Sequence, residues 1–197
     1  MKLMFVSLGC DKNLVDTEVM LGLLKEGGFE FTDDETEAEV IVINTCCFIG
    51  DAKEESINTI LEMAQLKENG KCRVLLAAGC LVQRYREEVL EEIPELDGIL
   101  GTTSYDDIVA AVNGALSGQK ICDLKDCNKS PEVHSRRVVT TGGHYAFLKI
   151  AEGCDKHCTY CVIPSVRGSY RSVPMEILLE DAASLSEQGV KELILVS

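Results

Sequence analysis

The sequence lacks any hydrophobic run that approaches the roughly 18 residues needed to span a bilayer. Its opening segment, MKLMFVSLGC, also lacks the longer apolar region and the small-residue cleavage site of a secretory signal. These absences favour a cytoplasmic protein whose ten cysteines are reduced. In that compartment, cysteines that cluster in the sequence indicate metal binding or catalysis rather than disulfides.

Positive charge is also scarce, because 19 lysine and arginine residues stand against 33 aspartate and glutamate residues, for a formal net charge of −14. This balance argues against a large surface for nucleic-acid phosphates, so we expect no direct nucleic-acid binding by this chain and no membrane partner. The acidic surface fits a basic protein partner. The alternative is that the charge serves solubility alone.

The first 119 residues contain no internal repeat and alternate between strand and helix patterns. The continuous β-branched run VIVIN is typical of a strand covered on both faces. We expect Asp11 or Asn13 to cap the first helix and Asp51 to cap the second. The predicted strands are 2–8, 40–44, 73–78 and 98–101, and the predicted helices are 14–25, 52–69, 82–92 and 105–118. This order predicts an α/β domain with a parallel, Rossmann-like sheet.

The alternation is interrupted between residues 120 and 143. This segment is polar and contains Pro131 and the pair Gly142-Gly143, which predicts a linker with room for a hairpin. From residue 144 the pattern resumes as a second α/β region. Its predicted elements are a strand over 145–151, a helix over 174–188 and a strand over 192–197.

Three cysteines follow three successive predicted strands, namely Cys10, Cys46 and Cys80. Because parallel strands end at the same edge of a sheet, where open α/β sheets bind ligands, we expect these cysteines to converge in space. A glycine precedes the first and the third, in LGC and AGC, and allows the backbone to turn sharply there. The alternative is three unrelated buried cysteines, since free cysteine is often buried.

A second group of cysteines occurs in EGCDKHCTYCVIP, residues 152–164, as Cys154, Cys158 and Cys161. This C-x3-C-x2-C segment directly follows a strand, so it is predicted in a loop where active sites of barrels lie. Closely spaced thiolates suit an iron–sulfur cluster, and three ligands leave one iron open for a substrate or cofactor. A zinc site is the alternative, but its fourth ligand would have to be His157, whose position next to Cys158 is poor for chelating one ion.

The remaining four cysteines carry weaker signals. Cys47 and Cys72 fit small core residues beside or within strands. Cys122 and Cys127 lie in the predicted linker, where a metal site is possible but poorly supported by the spacing.

Taken together, these motifs resemble a known family. EGCDKHCTYCVIPSVRG is similar to the cluster loop of radical S-adenosylmethionine (SAM) enzymes of the methylthiotransferase family. SLGCDKNLVD, INTCCFI and AAGCLVQRY are similar to the N-terminal cysteine-bearing domain of that family, so the resemblance covers essentially the whole chain. GCDKNLVDTE is closer to the branch that modifies an aspartate of a small-subunit ribosomal protein than to the tRNA-modifying branch, which typically has Gln-Met-Asn after the first cysteine.

The resemblance implies two 4Fe-4S clusters and SAM as cofactors. The ligands of the radical SAM cluster, whose open iron chelates SAM, would be Cys154, Cys158 and Cys161. The ligands of an auxiliary, sulfur-carrying cluster would be Cys10, Cys46 and Cys80. One SAM would methylate that sulfur, and a second would supply the radical that takes a hydrogen from the aspartate β-carbon. Tyr160 would lie near the SAM adenine, with a packing role in the loop as its alternative.

The resemblance also implies an architecture and partners. Residues 1–119 would be the methylthiotransferase domain, 120–143 a linker and 144–197 the start of a radical SAM partial TIM-type barrel. Reduced flavodoxin or ferredoxin would donate the electron. Family members complete the barrel and add a small β-domain, so this chain is expected to be an N-terminal part that is inactive alone. The alternatives are a tRNA adenosine methylthiotransferase and a non-catalytic iron–sulfur or zinc module.

Overall fold

The structure, a computed structural model, describes residues 1–129 and 137–197. Within these ranges the chain forms an N-terminal domain around one large sheet, followed by a smaller second region that packs against it. Pro131 and part of the predicted linker, with its possible hairpin, lie outside the described residues.

Six parallel strands form the sheet of the N-terminal domain. They are β1 (Lys2–Ser7), β2 (Glu30–Phe31), β3 (Val40–Thr45), β4 (Val74–Gly79), β5 (Gly98–Leu100) and β6 (Ile121–Asp123). Their order across the sheet is β2-β1-β3-β4-β5-β6, which puts β1, β3 and β4 side by side. All residues of β3 and β4 are buried, because helices cover both faces of the sheet.

The helices of this domain are α1 (Asp11–Glu26), α2 (Gly50–Ala64), α3 (Leu66–Asn69), α4 (Cys80–Tyr85), α5 (Glu87–Glu92) and α6 (Ile108–Leu116), with short 3-10 turns at Glu35–Glu37 and Tyr105–Asp107. Alternate strand residues face opposite sides. Val40 and Val42 pack with residues of α1 and α6, whereas Ile41 and Ile43 pack with residues of α2, α4 and α5. The predicted parallel α/β fold is therefore confirmed.

The predicted helix starts are wrong by a few residues. Helix α1 begins at Asp11 with Cys10 as its N-cap, and Asn13 lies inside the helix, where its side chain bonds to neighbouring loops instead of capping. Helix α2 begins at Gly50, ahead of the expected cap Asp51, with Ile49 as N-cap. In both cases the strand-to-helix connection is short, and the backbone enters the helix without a side-chain cap.

Two predicted helices are each divided in the structure. The segment 52–69 separates into α2 and α3 at Gln65, where a tighter N–H to Glu62 carbonyl bond forms. The segment 82–92 separates into α4 and α5 at Arg86, whose φ of 53° interrupts the helix. Residues 121–123 of the predicted linker form β6, which pairs with β5 at the edge of the sheet.

The second region contains β7 (Tyr145–Lys149), β8 (Ala151–Glu152), α7 (Ile163–Arg167), β9 (Arg171–Ser172), α8 (Met175–Glu187) and β10 (Glu192–Val196). Strands β7 and β10 are parallel and are connected through α8, whereas β8 and β9 form an antiparallel pair. Its small core consists of Ala146, Leu148, Leu185 and Val190. The predicted strand–helix–strand order of this region is confirmed.

The second region docks on the N-terminal domain through α7 and through the segment that precedes β7. Val166 of α7 packs into the core cluster on the α4 face of the sheet, and its carbonyl accepts a hydrogen bond of 2.7 Å from the Thr102 hydroxyl. The backbone N–H of Val138 donates to the carbonyl of Glu18 in α1. Within the described ranges, no helix is both long and apolar enough to cross a bilayer.

Candidate metal centre

The first three candidate cysteines lie at one edge of the sheet. Cys10 connects β1 to α1, Cys46 directly follows β3, and Cys80 is the first residue of α4 after β4. Because β1, β3 and β4 are neighbours in a parallel sheet, all three cysteines stand at its carboxyl-terminal edge. This is the convergence that the sequence predicted.

Two glycines allow the cysteine loops to approach one another. Gly9 has a φ of +94°, and a Cβ added to it would lie 2.7 Å from the Cβ of Cys46. Gly79 also has a φ of +94°, and its added Cβ would lie 2.3 Å from the Asn44 side-chain oxygen. A larger residue at either position would push apart the loops that carry the cysteines.

A cavity of about 420 Å³ opens at this edge of the sheet. Cysteines of both predicted groups face it, namely Cys10, Cys46, Cys80 and Cys154. Cys158 and Cys161 are not among the lining residues; they lie in the loop between β8 and α7, where the Cys161 N–H donates to the Cys158 carbonyl over 2.9 Å. The structure therefore unites the first group with one member of the second.

The candidate metal-binding atoms at the cavity are the sulfurs of Cys10, Cys46, Cys80 and Cys154. In the described part of the chain, no three histidine, cysteine, aspartate or glutamate side chains are close enough to hold one metal ion. Thiolates are the usual ligands of iron–sulfur clusters. No histidine lines the described cavity. This donor set is therefore chemically compatible with the implied auxiliary cluster.

Asn13 links the cysteine loops to the second region. The sequence predicted only that this residue caps a helix. Its Nδ2 donates to the carbonyl of Leu8, two residues before Cys10, at 3.0 Å and to the carbonyl of Thr45, directly before Cys46, at 2.9 Å. Its Oδ1 accepts hydrogen bonds from the guanidinium of Arg167 and from the thiol of Cys80. One buried amide thus contacts all three loops and α7.

Four buried charges surround this junction, and we call them the seam cluster: Asp16, Lys149, Glu152 and Arg167. Lys149 Nζ lies 2.5 Å from Asp16 Oδ1 and 2.9 Å from Glu152 Oε1. Arg167 Nη1 lies 2.6 Å from Asp16 Oδ2 and 3.4 Å from Glu152 Oε1. Each side chain is less than 10% exposed. Asp16 belongs to α1 and the others to the second region, so the cluster joins the two.

Opposite charges outweigh burial within the seam cluster. Burial alone would raise the pKa of the Glu152 carboxyl, but Lys149 and Arg167 hold this pKa at about 2. Burial would lower the pKa of Lys149, whereas Asp16 and Glu152 raise it above its ordinary value. Lys149 and Glu152 are therefore charged at neutral pH, and their pairing is needed to offset the cost of desolvation.

The thiols at the cavity differ in their surroundings. Burial raises the pKa of the Cys80 thiol, while the adjacent Arg167 guanidinium acts in the opposite direction. Burial also raises the pKa of Cys47 to about 11. Cys47 lines the cavity and donates to the Cys80 carbonyl at 3.2 Å, although the sequence indicated only a core residue. Deprotonation of buried thiols is unfavourable unless a metal binds them.

Tyr160 and the other cysteines occupy different environments. Tyr160 is 88% exposed on the loop between Cys158 and Cys161, which argues against a packing role and leaves its ring accessible to a ligand. Cys72 is buried two residues before β4, as predicted for a core residue. Cys122 is exposed and Cys127 is half-buried.

Comparisons with known proteins cover the entire chain. Residues 2–101 match the family described as uncharacterized protein family UPF0004. The chain is 64% identical over 197 residues to the ribosomal protein uS12 methylthiotransferase RimO of Lachnoclostridium phytofermentans. It is 51% identical over 196 residues to the protein of the same name from Pelotomaculum thermopropionicum and 49% identical over 203 residues to that from Acetivibrio thermocellus.

These matches include 100% of this chain but only 45%, 44% and 45% of the three relatives. The chain therefore spans less than half the length of the curated relatives it matches. Similarity along the full chain confirms the resemblance that the cysteine motifs indicated.

Proposed function

The chain belongs to uncharacterized protein family UPF0004, and on that premise we propose that it is the N-terminal part of a radical SAM methylthiotransferase. The proposed substrate is an aspartate of a small-subunit ribosomal protein, since the relatives that share 64% and 51% of its residues are named uS12 methylthiotransferases. The proposed enzyme works in the cytoplasm, with reduced flavodoxin or ferredoxin as electron donor.

The observation that carries this proposal is the cavity that cysteines of both groups face. Cys10, Cys46 and Cys80 would hold the auxiliary cluster, and the loop that begins at Cys154 would hold the second cluster with Cys158 and Cys161. When bound, the two 4Fe-4S clusters and SAM supply the radical and sulfur chemistry of such a transfer. A shared cavity allows both groups to act on one substrate side chain.

The chain's own residues orient this site. Asn13 connects the loops of the auxiliary group, and the seam cluster attaches α7, next to the second cysteine loop, to helix α1. The exposed ring of Tyr160 is available to stack on the adenine of SAM. Burial of Cys46 and Cys80 limits the access of water to their side of the cavity.

Metal analysis of two triple variants tests the assignment of two separate sites. After anaerobic reconstitution, the wild-type chain is expected to bind iron and sulfide for two clusters. Replacement of Cys154, Cys158 and Cys161 by alanine should remove about half of the iron, because three thiolate ligands are lost from one cluster only. Replacement of Cys10, Cys46 and Cys80 should remove the other half.

The matched control is Cys122→Ala with Cys127→Ala, which removes two thiols outside both groups and should leave the iron content unchanged. Loss of all iron from either triple variant, or stoichiometric zinc in place of iron, would contradict the two-site assignment.

The substrate is tested by mass spectrometry in a strain from which the gene has been deleted. The expected result is loss of the methylthio group from the aspartate of the small-subunit ribosomal protein, with methylthio-adenosine in tRNA unchanged. Loss of the tRNA modification with an intact ribosomal modification would instead identify a tRNA methylthiotransferase.

A further inference from the structure

Lys12 is a half-buried cation on the wall of the cavity between the two cysteine groups. It lies in the first turn of α1, two residues after Cys10. Its Nζ donates a hydrogen bond of 3.4 Å to the carbonyl of Ala151, just before Glu152 and the second cysteine loop. The ammonium group therefore stands where the N-terminal domain and the second region meet.

The other buried cations at this junction already have carboxylate partners. Lys149 and Arg167 each contact both Asp16 and Glu152, so two positive charges are matched by two negative charges. Lys12 forms no direct ion pair with any residue in 1–129 or 137–197, although the carboxylate of Glu152 attracts it over a longer distance. Its hydrogen bond to Ala151 uses one of the three ammonium donors. The carboxylate of Asp11 also lines the cavity, but that residue is exposed at the rim.

We propose that Lys12 is the carboxylate-binding residue of this cavity. A half-buried ammonium is partly desolvated, and a carboxylate ligand would replace the lost hydration with charge-assisted hydrogen bonds. The proposal rests on the proposed function, which brings two carboxylates to the cavity: the side chain of the substrate aspartate and the carboxylate of SAM. Both have the same chemistry, and separate binding measurements distinguish them.

If the substrate aspartate is the ligand, Lys12 also determines specificity. A site that pairs with a charged carboxylate discriminates against the neutral amide of asparagine, because the cation then loses its partner. A nucleobase offers no carboxylate to Lys12, so this residue would favour an acidic protein side chain over adenosine. Lys12 thereby becomes a positioning residue for substrate rather than a ligand of either cluster.

Binding measurements on the full-length protein with reconstituted clusters test the proposal. The variants are Lys12→Gln, which removes the charge, and Lys12→Arg, which retains it. Lys25→Gln is the matched control, because Lys25 is an exposed lysine at the other end of the same helix. Calorimetry measures the Kd of SAM in one arm. The other arm measures the Kd of a ribosomal-protein peptide that contains the aspartate and the Kd of the same peptide with asparagine in its place. All protein variants are compared at equal iron content.

We expect Lys12→Gln to weaken binding of the aspartate peptide by about tenfold or more, the size of a lost charge-assisted hydrogen bond. Binding of the asparagine peptide should be equal in wild type and Lys12→Gln, and Lys12→Arg should restore most of the affinity for aspartate. If the tenfold loss occurs with SAM instead, the carboxylate subsite is supported with the cofactor as its ligand.

Unchanged affinity for both ligands in Lys12→Gln, when wild type binds them, would overturn the inference and leave the proposed function intact. In that case Lys12 would serve only to hold the Ala151 carbonyl. Failure of the wild-type protein to bind either SAM or the peptide would overturn the proposed function, and this inference with it.

Discussion

The two α/β regions bury their strands to very different degrees. Every residue of β3 and β4 is buried between two layers of helices in the N-terminal domain. In the second region, four of the five residues of β10 are exposed, including Leu195 at 62%. The same parallel strand pairing therefore supports a large two-sided core in one region and a core of four buried residues in the other.

This difference shows that the second region depends on its contacts with the N-terminal domain. A fragment of this size buries little apolar surface to offset its conformational entropy. In the structure this region is docked on the N-terminal domain through Val166 and the seam cluster. The position of the second cysteine loop thus depends on the buried polar contacts of the seam cluster. Such contacts are more sensitive to substitution than a large apolar core.

The largest effect is expected from removal of Asp16. Asp16→Ala leaves Lys149 and Arg167 buried with a single carboxylate, and breaking a buried ion pair in this way typically costs about 3–5 kcal/mol. Hydrogen exchange should show loss of protection for amides of 145–196, whereas the sheet amides of β3 and β4 remain protected.

The control for this prediction is Asp33→Ala, which replaces an exposed aspartate in a loop of the N-terminal domain. It should change exchange in neither region. Equal loss of protection in both regions of Asp16→Ala would mean that the two regions unfold as one unit. The second region would then not be the less stable of the two.

A pair of leucine substitutions compares the two sheets directly. Leu76 in β4 is fully buried, and Leu76→Ala should lower the free energy of unfolding by about 2–5 kcal/mol through lost contacts and a cavity. Leu195→Ala in β10 removes a side chain that is mostly exposed and should change the free energy of unfolding by less than about 0.5 kcal/mol. Urea unfolding of the 197-residue chain, monitored by circular dichroism, provides both values.

Similar losses for Leu76→Ala and Leu195→Ala would indicate that β10 is buried in solution, for instance in an oligomer. Measurement at two protein concentrations separates that explanation from a monomeric chain, since oligomers gain stability with concentration.

The smallest effect concerns alkaline pH and the N-terminal core. Burial raises the pKa of the Cys72 thiol from its ordinary value of 9.0 to about 11. Between these values the unfolded chain has lost the proton that the folded chain retains, so stability should fall as pH rises from 9 towards 11. The contribution of Cys72 to this fall should be about 1–3 kcal/mol.

Urea unfolding of Cys72→Ala between pH 8 and pH 11 checks this contribution, because its stability should decline less steeply than that of wild type. Cys127→Ala, which removes a half-buried thiol outside the core, is the comparison variant. A decline in Cys72→Ala as steep as in wild type would show that Cys72 does not carry the effect.

Much of the fold could be predicted because its signals are local. Periodic apolar residues and β-branched runs located the principal strands and helices, and the positions of Cys10, Cys46 and Cys80 after successive strands predicted a common edge. The break at Arg86 and the short strand β6 were not predicted. Neither has a strong local pattern, and β6 is stabilised by pairing with β5 rather than by its own three residues.

The candidate site also has features that the sequence predicted and features that it did not. Cys10, Cys46 and Cys80 were predicted from spacing, because strand order and parallel topology determine which loops meet, whereas Cys47 was expected only in the core. The contacts of Asn13 and the position of Lys12 at the cavity were not predicted, because a cap and an interior residue of α1 look alike in sequence when the helix start is uncertain. The seam cluster was also not predicted, because Asp16 lies 133 residues from Lys149 and 151 residues from Arg167, and no pattern along the chain pairs them.

By itself, the sequence determined the parallel α/β architecture, the two cysteine groups and the family resemblance, all of which depend on residue type and short-range spacing. Only the tertiary structure decided that Cys154 shares a cavity with the first group, that Asn13 joins the loops and that Lys12 forms no direct ion pair within the described residues. The physical reason is that desolvation and charge pairing depend on which distant groups pack together, and this becomes defined only when the second region docks on α1.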